Sequence, residues 1–317
     1  MLGRRIMMLS CGALFSAPST YANILDLHML VGSGTGGSSD TSTRILAGHL
    51  TQSGMNTRVS NRPAGNGVEA AIHVMSQSAG SDVVLSNGIA AIFLAPARER
   101  LPYDNTTLAP ICMFSKASFV FAVKASSRFL TIDDLIASGK TNTISIANGG
   151  AESQYTVSKF SDIVGLNIIN AVYRSGGAAA QDLMAGIVDA AYVSVASVAG
   201  LVLSGDIRLL AHTNEDESEV PGFSNVPHIF SIGSRDPGLL SYGYHGLYAS
   251  RQMSKDSIKY IAHKVEQACN DKKFIDEHNN RGMISIFKGP EQLEAHHKII
   301  QNNLITPYIE WTRRINR

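Results

Sequence analysis

Short apolar segments typical of β-strands alternate with helix-like segments along almost the whole chain. The first unit joins the apolar run Ile24–Val31, the glycine-rich turn Gly32–Asp40 and the helical pattern Thr41–Leu50. Repeated units of strand, turn and helix favour parallel sheets with helices packed on both faces. The pattern therefore predicts an α/β fold built mostly from parallel sheets.

The same alternation continues after the first unit, and this order of elements carries the assignment of fold class. Strands are predicted at Ile24–Val31, Thr57–Asn61, Val83–Ser86, Phe119–Val123, Thr143–Ala147, Ile168–Val172, Ala190–Ser194, Ile207–Ala211 and Gly246–Ala249. Helices are predicted at Asp40–Gln52, Gly67–Gln77, Thr131–Ala137, Ser153–Val164, Ala178–Ala185, Val195–Leu203, Ser254–Asn270 and Pro290–Arg314.

Two places interrupt the alternation and indicate that the chain passes between domains. At Pro110–Val123 two apolar strand candidates follow each other without a helix, and Asn214–Ser241 is rich in loops and contains three prolines. A chain of 317 residues is long enough for two domains of ordinary size. We predict one Rossmann-like domain from residues 23–118 plus 240–317, a second from residues 119–239, and a hinged interdomain cleft, where ligands of α/β proteins bind.

The N-terminus has the composition of an export signal. Arg4 and Arg5 precede the mostly apolar run Ile6–Phe15, and the small residue Ala22 suits cleavage. A buried first helix is the competing interpretation, but the flanking charges and the position of the run favour a signal peptide over residues 1–22. We therefore expect a periplasmic protein, since no later apolar stretch reaches the roughly 20 residues that span a bilayer.

Composition and charge argue against several function classes. The chain is 44% hydrophobic and 17% charged, which is typical of a globular protein. Its net charge of +1 becomes −1 without Arg4 and Arg5, and this balance does not favour a nucleic-acid partner. We expect Cys112 and Cys269 to be buried free thiols, with a disulfide as the alternative that an oxidising compartment permits.

Three glycine turns, each between a predicted strand and a predicted helix, indicate binding of a small anion. They are Gly32–Asp40, Asn148–Ser153 and Tyr173–Ala178. Glycine lets backbone N–H groups turn inward, and the first turn of a helix presents unpaired donors and the positive end of its dipole. Three such loops at the predicted cleft suggest one shared ligand, most simply a carboxylate.

The first loop also matches the dinucleotide-binding pattern through Gly32, Gly34 and Gly37. That pattern requires an acidic residue about 20 positions later, whereas the next predicted strand leads into Arg62. The arginine leaves open an NADP-binding oxidoreductase, which is the less favoured interpretation. No lysine follows the glycines, no G-x-S-x-G segment is present and no histidine spacing suggests a metal, so we expect no catalysis, cofactor or metal.

These loops resemble those of a known family, the extracytoplasmic solute receptors of tripartite tricarboxylate transporters, also called TctC or Bug-type proteins. The resemblance covers nearly all of the chain after the predicted signal. Asp40 and Arg44 close a loop similar to the family's P-x-G-G-x-x-D-x-x-x-R segment, and residues 61–67 are similar to its N-R-P-G-A-G-G signature. Further similarities are Pro102–Asp104 to P-Y-D, Asn148–Ser153 to a glycine–serine loop, Tyr173–Ala178 to Y-K-G-x-x-P and Gln181–Asp189 to D-L-x-x-G-x-V-D.

The resemblance implies a two-domain Venus-flytrap fold that closes over a small carboxylic acid, held by backbone amides and bridging waters from both domains. It implies a periplasmic solute-binding protein that delivers its ligand to transporter subunits in the membrane, and we expect a monomer. A ligand-presenting receptor for a membrane sensor kinase is the nearest alternative, and a secreted NADP-type oxidoreductase is a more distant one.

By motif position, the resemblance implies a ligand site with one wall from each domain. The residues expected there are Gly34, Thr35, Gly36, Gly37, Ser38, Asp40, Asn148, Gly149, Ser153, Tyr155, Gly176, Gly177 and Ala178. Apart from any family motif, we also expect Asn87 and Ser194 to lie at the site. Asp40 has a second interpretation, as a first-turn helix residue that orders the loop. Tyr155 stands where the family often has histidine, and we expect its bulk to shorten the cavity or its hydroxyl to reach the ligand.

Overall fold

Two mixed β-sheets covered by helices form the framework of the protein in a computed structural model that describes residues 26–315. The predicted signal peptide, residues 1–22, lies outside these residues. The strands are β1 (Asp26–Val31), β2 (Asn56–Asn61), β3 (Val83–Asn87), β4 (Leu108–Ala117), β5 (Phe119–Lys124), β6 (Ile144–Asn148), β7 (Ile168–Val172), β8 (Ala190–Ser194), β9 (Ile207–His212), β10 (Tyr244–Ser250) and β11 (Met283–Lys288). The α-helices are α1 (Ser38–Gln52), α2 (Val68–Met75), α3 (Ala95–Arg98), α4 (Ile132–Gly139), α5 (Ala151–Val164), α6 (Gly176–Ala185), α7 (Ala199–Leu203), α8 (Lys255–Cys269), α9 (Lys272–Asn279), α10 (Pro290–Ile300) and α11 (Thr306–Ile315).

The first sheet has six strands in the order β11-β4-β10-β3-β1-β2, and the second has five in the order β7-β6-β8-β5-β9. The α/β class is therefore confirmed, but the prediction of mostly parallel sheets was wrong. Among the described strands, only β1 with β2 and β3, and β6 with β7 and β8, form parallel pairs. The strands next to the two passages between the sheets, β4, β5, β9 and β10, pair antiparallel instead.

The chain passes between the sheets twice. Only Ser118 separates β4 from β5, and residues 213–243 lead from β9 back to β10. The two ends of the second crossing lie side by side, because the N–H of Ser241 donates to the carbonyl of Thr213 at 2.8 Å. All strands of the second sheet consequently come from a central stretch of the chain, and the stretches on either side of it build the first sheet.

The connection through Ser118 fixes the relative direction of the two sheets. β3 and β4 are both antiparallel to β10, so β1, β2 and β3 end at the edge where β4 ends. β5 is antiparallel to β8, so β6, β7 and β8 end at the edge where β5 begins. The loops after both sets of parallel strands therefore lie at the edges that the crossings join.

The C-terminal helix packs against the layer that covers the second sheet. Tyr155 of α5 contacts Tyr308 and Trp311 of α11 edge to face, with ring centroids 5.8 and 5.7 Å apart. Arg314 of α11 also pairs with Asp162 of α5 at 2.8 Å. Between residues 26 and 315, no helix has both the length and the apolar character that crossing a membrane requires.

Candidate functional site

The glycine loop after β1 is held in place by one buried carboxylate. Asp40, which is 2% exposed in the first turn of α1, accepts hydrogen bonds from the N–H of Gly36 (3.0 Å), Nε of Arg44 (3.0 Å) and Nδ2 of Asn61 (2.8 Å). Burial raises the pKa of Asp40, but these bonds outweigh burial and hold the pKa below its usual value. Asp40 thus orders the loop, the second of its two interpretations.

The side chain of Asn61 completes this arrangement at the end of β2. Its Nδ2 also donates to the carbonyl of Ser33 (3.0 Å), and its Oδ1 accepts from Arg44 (3.0 Å) and more weakly from Thr35 (3.5 Å). Gly34, Thr35 and Gly36 remain exposed at the tip of the loop. The tip of the loop is therefore open to solvent, while its base is tied to α1 and β2.

A buried asparagine lies beneath the same loop. Asn87 is 4% exposed at the end of β3, and its Oδ1 accepts from the N–H of Gly88 at 2.7 Å. A Cβ on Gly32 would lie only 2.0 Å from Nδ2 of Asn87, so this packing requires glycine there. Within residues 26–315 this Nδ2 has no hydrogen-bond partner, which leaves a buried donor directly under the glycine loop.

The second glycine loop, after β6, packs against the loop before α6. A Cβ on Gly149 would lie 2.8 Å from the backbone nitrogen of Gly176, and one on Gly176 would lie 2.6 Å from Oγ of Ser197. Ser197 in turn shares a hydrogen bond of 2.9 Å with Ser194 at the end of β8. The loop after β6, the loop after β7 and the residues at the end of β8 are therefore packed against one another.

Two polar residues of this group hold the loops in place. Nδ2 of Asn148 donates to Oδ1 of Asn170 (2.6 Å) and to the carbonyl of Ala171 (3.2 Å), so it braces β6 against β7. Oγ of Ser175 accepts from the N–H of Ala178 (3.2 Å) and caps α6. Gly177 stays exposed in the first turn of that helix.

Helices α1 and α5 both begin at the joined edges without a side-chain cap. Gly37 precedes α1 and Gly150 precedes α5, and α2, which follows Gly67, also lacks a side-chain cap. Thr131 and Ser254, by contrast, cap α4 and α8. The N–H groups of an uncapped first turn have no partner within their helix and carry the positive end of its dipole. Ser38 and Ser153 lie in these first turns, one on each side of the crossings.

Tyr155 occupies a different place from the other expected site residues. Its side chain is 1% exposed, and its ring packs in the core against Tyr308 and Trp311. A Cβ on Gly238 would lie 3.1 Å from its hydroxyl oxygen, so the second crossing covers this end of the side chain. The contacts of Tyr155 therefore give it a packing role between α5, α11 and the second crossing.

The remaining predicted residues lie in two groups, one after each set of parallel strands. The first holds Gly34, Thr35, Gly36, Gly37, Ser38, Asp40 and Asn87, and the second holds Asn148, Gly149, Ser153, Gly176, Gly177, Ala178 and Ser194. In the part of the chain that the structure describes, no hydrogen bond joins the two groups directly. Three or more potential metal-ligating side chains do not cluster anywhere within residues 26–315.

Sequence reasoning missed Glu152, which links the second loop to a crossing. Its Oε1 accepts from the N–H of Tyr242 (3.0 Å) and from Oγ of Ser241 (3.3 Å). Burial raises the pKa of Glu152 to about 7, although both hydrogen bonds lower it. An acidic residue in a first helical turn is common, so the sequence carries no signal for this contact. The ordering role of Arg44 did have a signal, its spacing of four residues from Asp40.

Solved structures with the same fold include a periplasmic binding protein and two proteins solved with a bound organic acid. The periplasmic binding protein BugD aligns with a TM-score of 0.76 at 20% identity, over 91% of this chain and 97% of that one. A protein of R. palustris solved with adipate aligns with a TM-score of 0.76 at 18% identity, over 92% and 95%. MatC from Rhodopseudomonas palustris with bound malate aligns with a TM-score of 0.69 at 16% identity, over 90% and 97%. The chain therefore shares the α/β fold of these structures, a fold class that includes a periplasmic binding protein.

Sequence comparison identifies the family within this class. The chain is 31% identical over 218 residues to a UPF0065 protein of Bordetella bronchiseptica, over 67% of this chain and 64% of that relative, just under two thirds of its length. It is 24% identical over 274 residues to protein BugT of Bordetella pertussis, over 84% and 83%. Residues 43–305 match the tripartite tricarboxylate transporter family receptor, TctC. The chain belongs to this family.

Proposed function

We propose that the protein is an exported, periplasmic solute receptor that binds a small carboxylate-bearing organic acid between its two domains. It delivers this acid to a membrane transporter of the tripartite tricarboxylate type and carries out no catalysis. The domains are those expected from the crossings, residues 23–118 plus 240–317 and residues 119–239. Membership of the TctC receptor family supports this function.

One observation carries the proposal: two uncapped helix N-termini follow glycine loops at the edges that the crossings join. Each supplies backbone N–H donors and the positive end of a helix dipole, a combination that suits a carboxylate. The unpartnered Nδ2 of Asn87 adds a side-chain donor beneath the first loop. Asp40, Asn148 and Tyr155 position these elements and are not proposed to touch the ligand.

The relatives suggest which acids to try first. One structural neighbour was solved with adipate and another with malate, so dicarboxylates are the first probes. Native mass spectrometry of freshly purified protein reports a retained ligand, and a thermal-shift screen of organic acids reports binding. We expect a di- or tricarboxylate to raise the melting temperature. A screen in which no organic acid does so, with NADP raising it instead, contradicts the proposal.

A further inference from the structure

Glu152 stands beside the proposed carboxylate site. It lies in the first turn of α5, two residues after Gly150, where the helix presents its unpaired N–H groups. Its hydrogen bonds to Ser241 and Tyr242 fix the side chain against the second crossing. The carboxyl group is thus held near the helix terminus that we propose for an anionic ligand.

No cation neutralises this carboxyl group in the part of the chain that the structure describes, where none of the ion pairs includes Glu152. Lys159 pairs with Asp236 at 3.1 Å, and Lys116 pairs with Asp216 at 3.2 Å, so both lysines are engaged elsewhere. Titratable groups do surround Glu152 on the neighbouring elements. Tyr192 of β8 and Tyr242 of the second crossing interact electrostatically with it. Beyond its partners Ser241 and Tyr242 lies a small cavity that is also lined by the charged or titratable side chains of Lys116, Glu215, Asp216 and His296. On α5 itself the nearest such residues along the helix are Tyr155 and Lys159, and Lys159 pairs with Asp236.

We propose that Glu152 couples ligand binding to proton uptake, so that an organic acid binds at the α5 loop most tightly when Glu152 carries a proton. This inference rests on the proposed function. An ionised Glu152 and a ligand carboxylate compete for the same helix terminus and repel each other. Protonation removes the repulsion, and a carbonyl oxygen of the carboxyl group can still accept from Ser241 and Tyr242.

Glu152 gains or loses its proton at a pH close to neutral. Burial raises the pKa of Glu152 to about 7, and a nearby anion raises it further. Binding to the wild-type protein therefore takes up protons near neutral pH. Above this pKa the affinity falls by up to about tenfold for each pH unit, because the proton must be taken from solution.

Isothermal titration calorimetry with adipate and malate tests the inference. Titrations run between about pH 6 and about pH 9, in buffers of different ionisation enthalpy, and count the protons taken up. We expect uptake and falling affinity in the wild-type protein. Glu152→Gln keeps the acceptor oxygen but cannot ionise, so its affinity should stay constant and exceed that of the wild type at the highest pH. Glu219→Gln, at an exposed position, is the matched control and should behave as the wild type.

The outcomes separate this inference from the proposed function. Binding without proton uptake, or proton uptake that persists in Glu152→Gln, overturns the coupling and leaves the receptor function intact. A Glu152→Gln variant that is folded but binds neither acid also overturns it, because the neutral side chain is expected to favour binding. Failure of every organic acid to bind the wild type overturns both.

Discussion

Gly34 is the residue at which the glycine loop after β1, one wall of the proposed ligand site, can be altered with least effect on the fold. A Cβ there meets no atom within 4 Å, whereas Gly36 has a φ of +80° that side chains rarely adopt. We expect Gly34→Val to abolish stabilisation by the bound acid while the melting temperature of the free protein changes little. Gly80→Val, also without a contact within 4 Å, is the control and should keep its ligand response. Equal ligand responses in both variants would contradict the site.

Asp40 tests the ordering of the same loop. Asp40→Asn weakens the bonds to Gly36 and Arg44, and we expect a loss of about 1–3 kcal/mol in the free energy of unfolding, measured with urea. Asp133→Asn changes an exposed first-turn aspartate of α4 and should cost much less. If the two variants are equally stable, the bonds of Asp40 do not order the loop.

The sequence indicated the glycine loops and the pairing of Asp40 with Arg44, but not the contacts between residues far apart in the chain. The spacing of Asp40 and Arg44 is visible within one helix, because residues four apart share a face. The contact of Glu152 with Ser241 joins residues 89 positions apart. Such contacts depend on the tertiary fold, so local pattern cannot reveal them.

Among the elements, α5 and α11 offer a test of Tyr155. Its ring packs against Tyr308 and Trp311, so Tyr155→Ala should lower the free energy of unfolding by about 3–5 kcal/mol through the cavity it leaves. Tyr155→Phe keeps the ring, and we expect little change in stability or ligand affinity. If Tyr155→Phe greatly lowers ligand affinity without changing stability, the hydroxyl of Tyr155 contacts the ligand and the packing role alone is contradicted.

Short apolar strands were predicted with correct bounds, whereas irregular elements were not. Strands β7 and β8 begin and end where the sequence predicts them, because each is a short apolar run with clear boundaries. The predicted helix Pro290–Arg314 is instead divided by a π-helical turn at residues 301–305. Helix α9 and edge strand β11 were also missed.

For the whole molecule, buried histidines predict sensitivity to acid. Burial lowers the pKa to about 4 or about 3 at His212, His245, His278, His296 and His297. Unfolding exposes them to protonation near their ordinary pKa of about 6.5, so the unfolded state binds more protons below that pH. We expect the free energy of unfolding to fall as the pH drops from about 6.5 toward 4.

Glu152 affects the pH dependence of the free energy of unfolding in the direction opposite to the histidines. Its pKa is about 7 in the folded protein and lower when unfolded, so its contribution to stability is lost as the pH rises through about 7. Glu152→Gln removes this contribution, and the free energy of unfolding in urea should then depend more steeply on pH below neutrality. Stability that is flat from about pH 4 to about pH 7 in both proteins contradicts the histidine argument.

The strand order also determines how much of the chain must be present before each sheet can be completed. β4 lies between β10 and β11, which emerge from the ribosome more than 120 residues after it. The first sheet therefore stays incomplete, with unpaired strand edges, until nearly the whole chain has been synthesised. The second sheet is complete once β9 has emerged. We therefore expect that the second sheet can be completed before the first, and that a chain truncated before β10 exposes unpaired strand edges prone to aggregation.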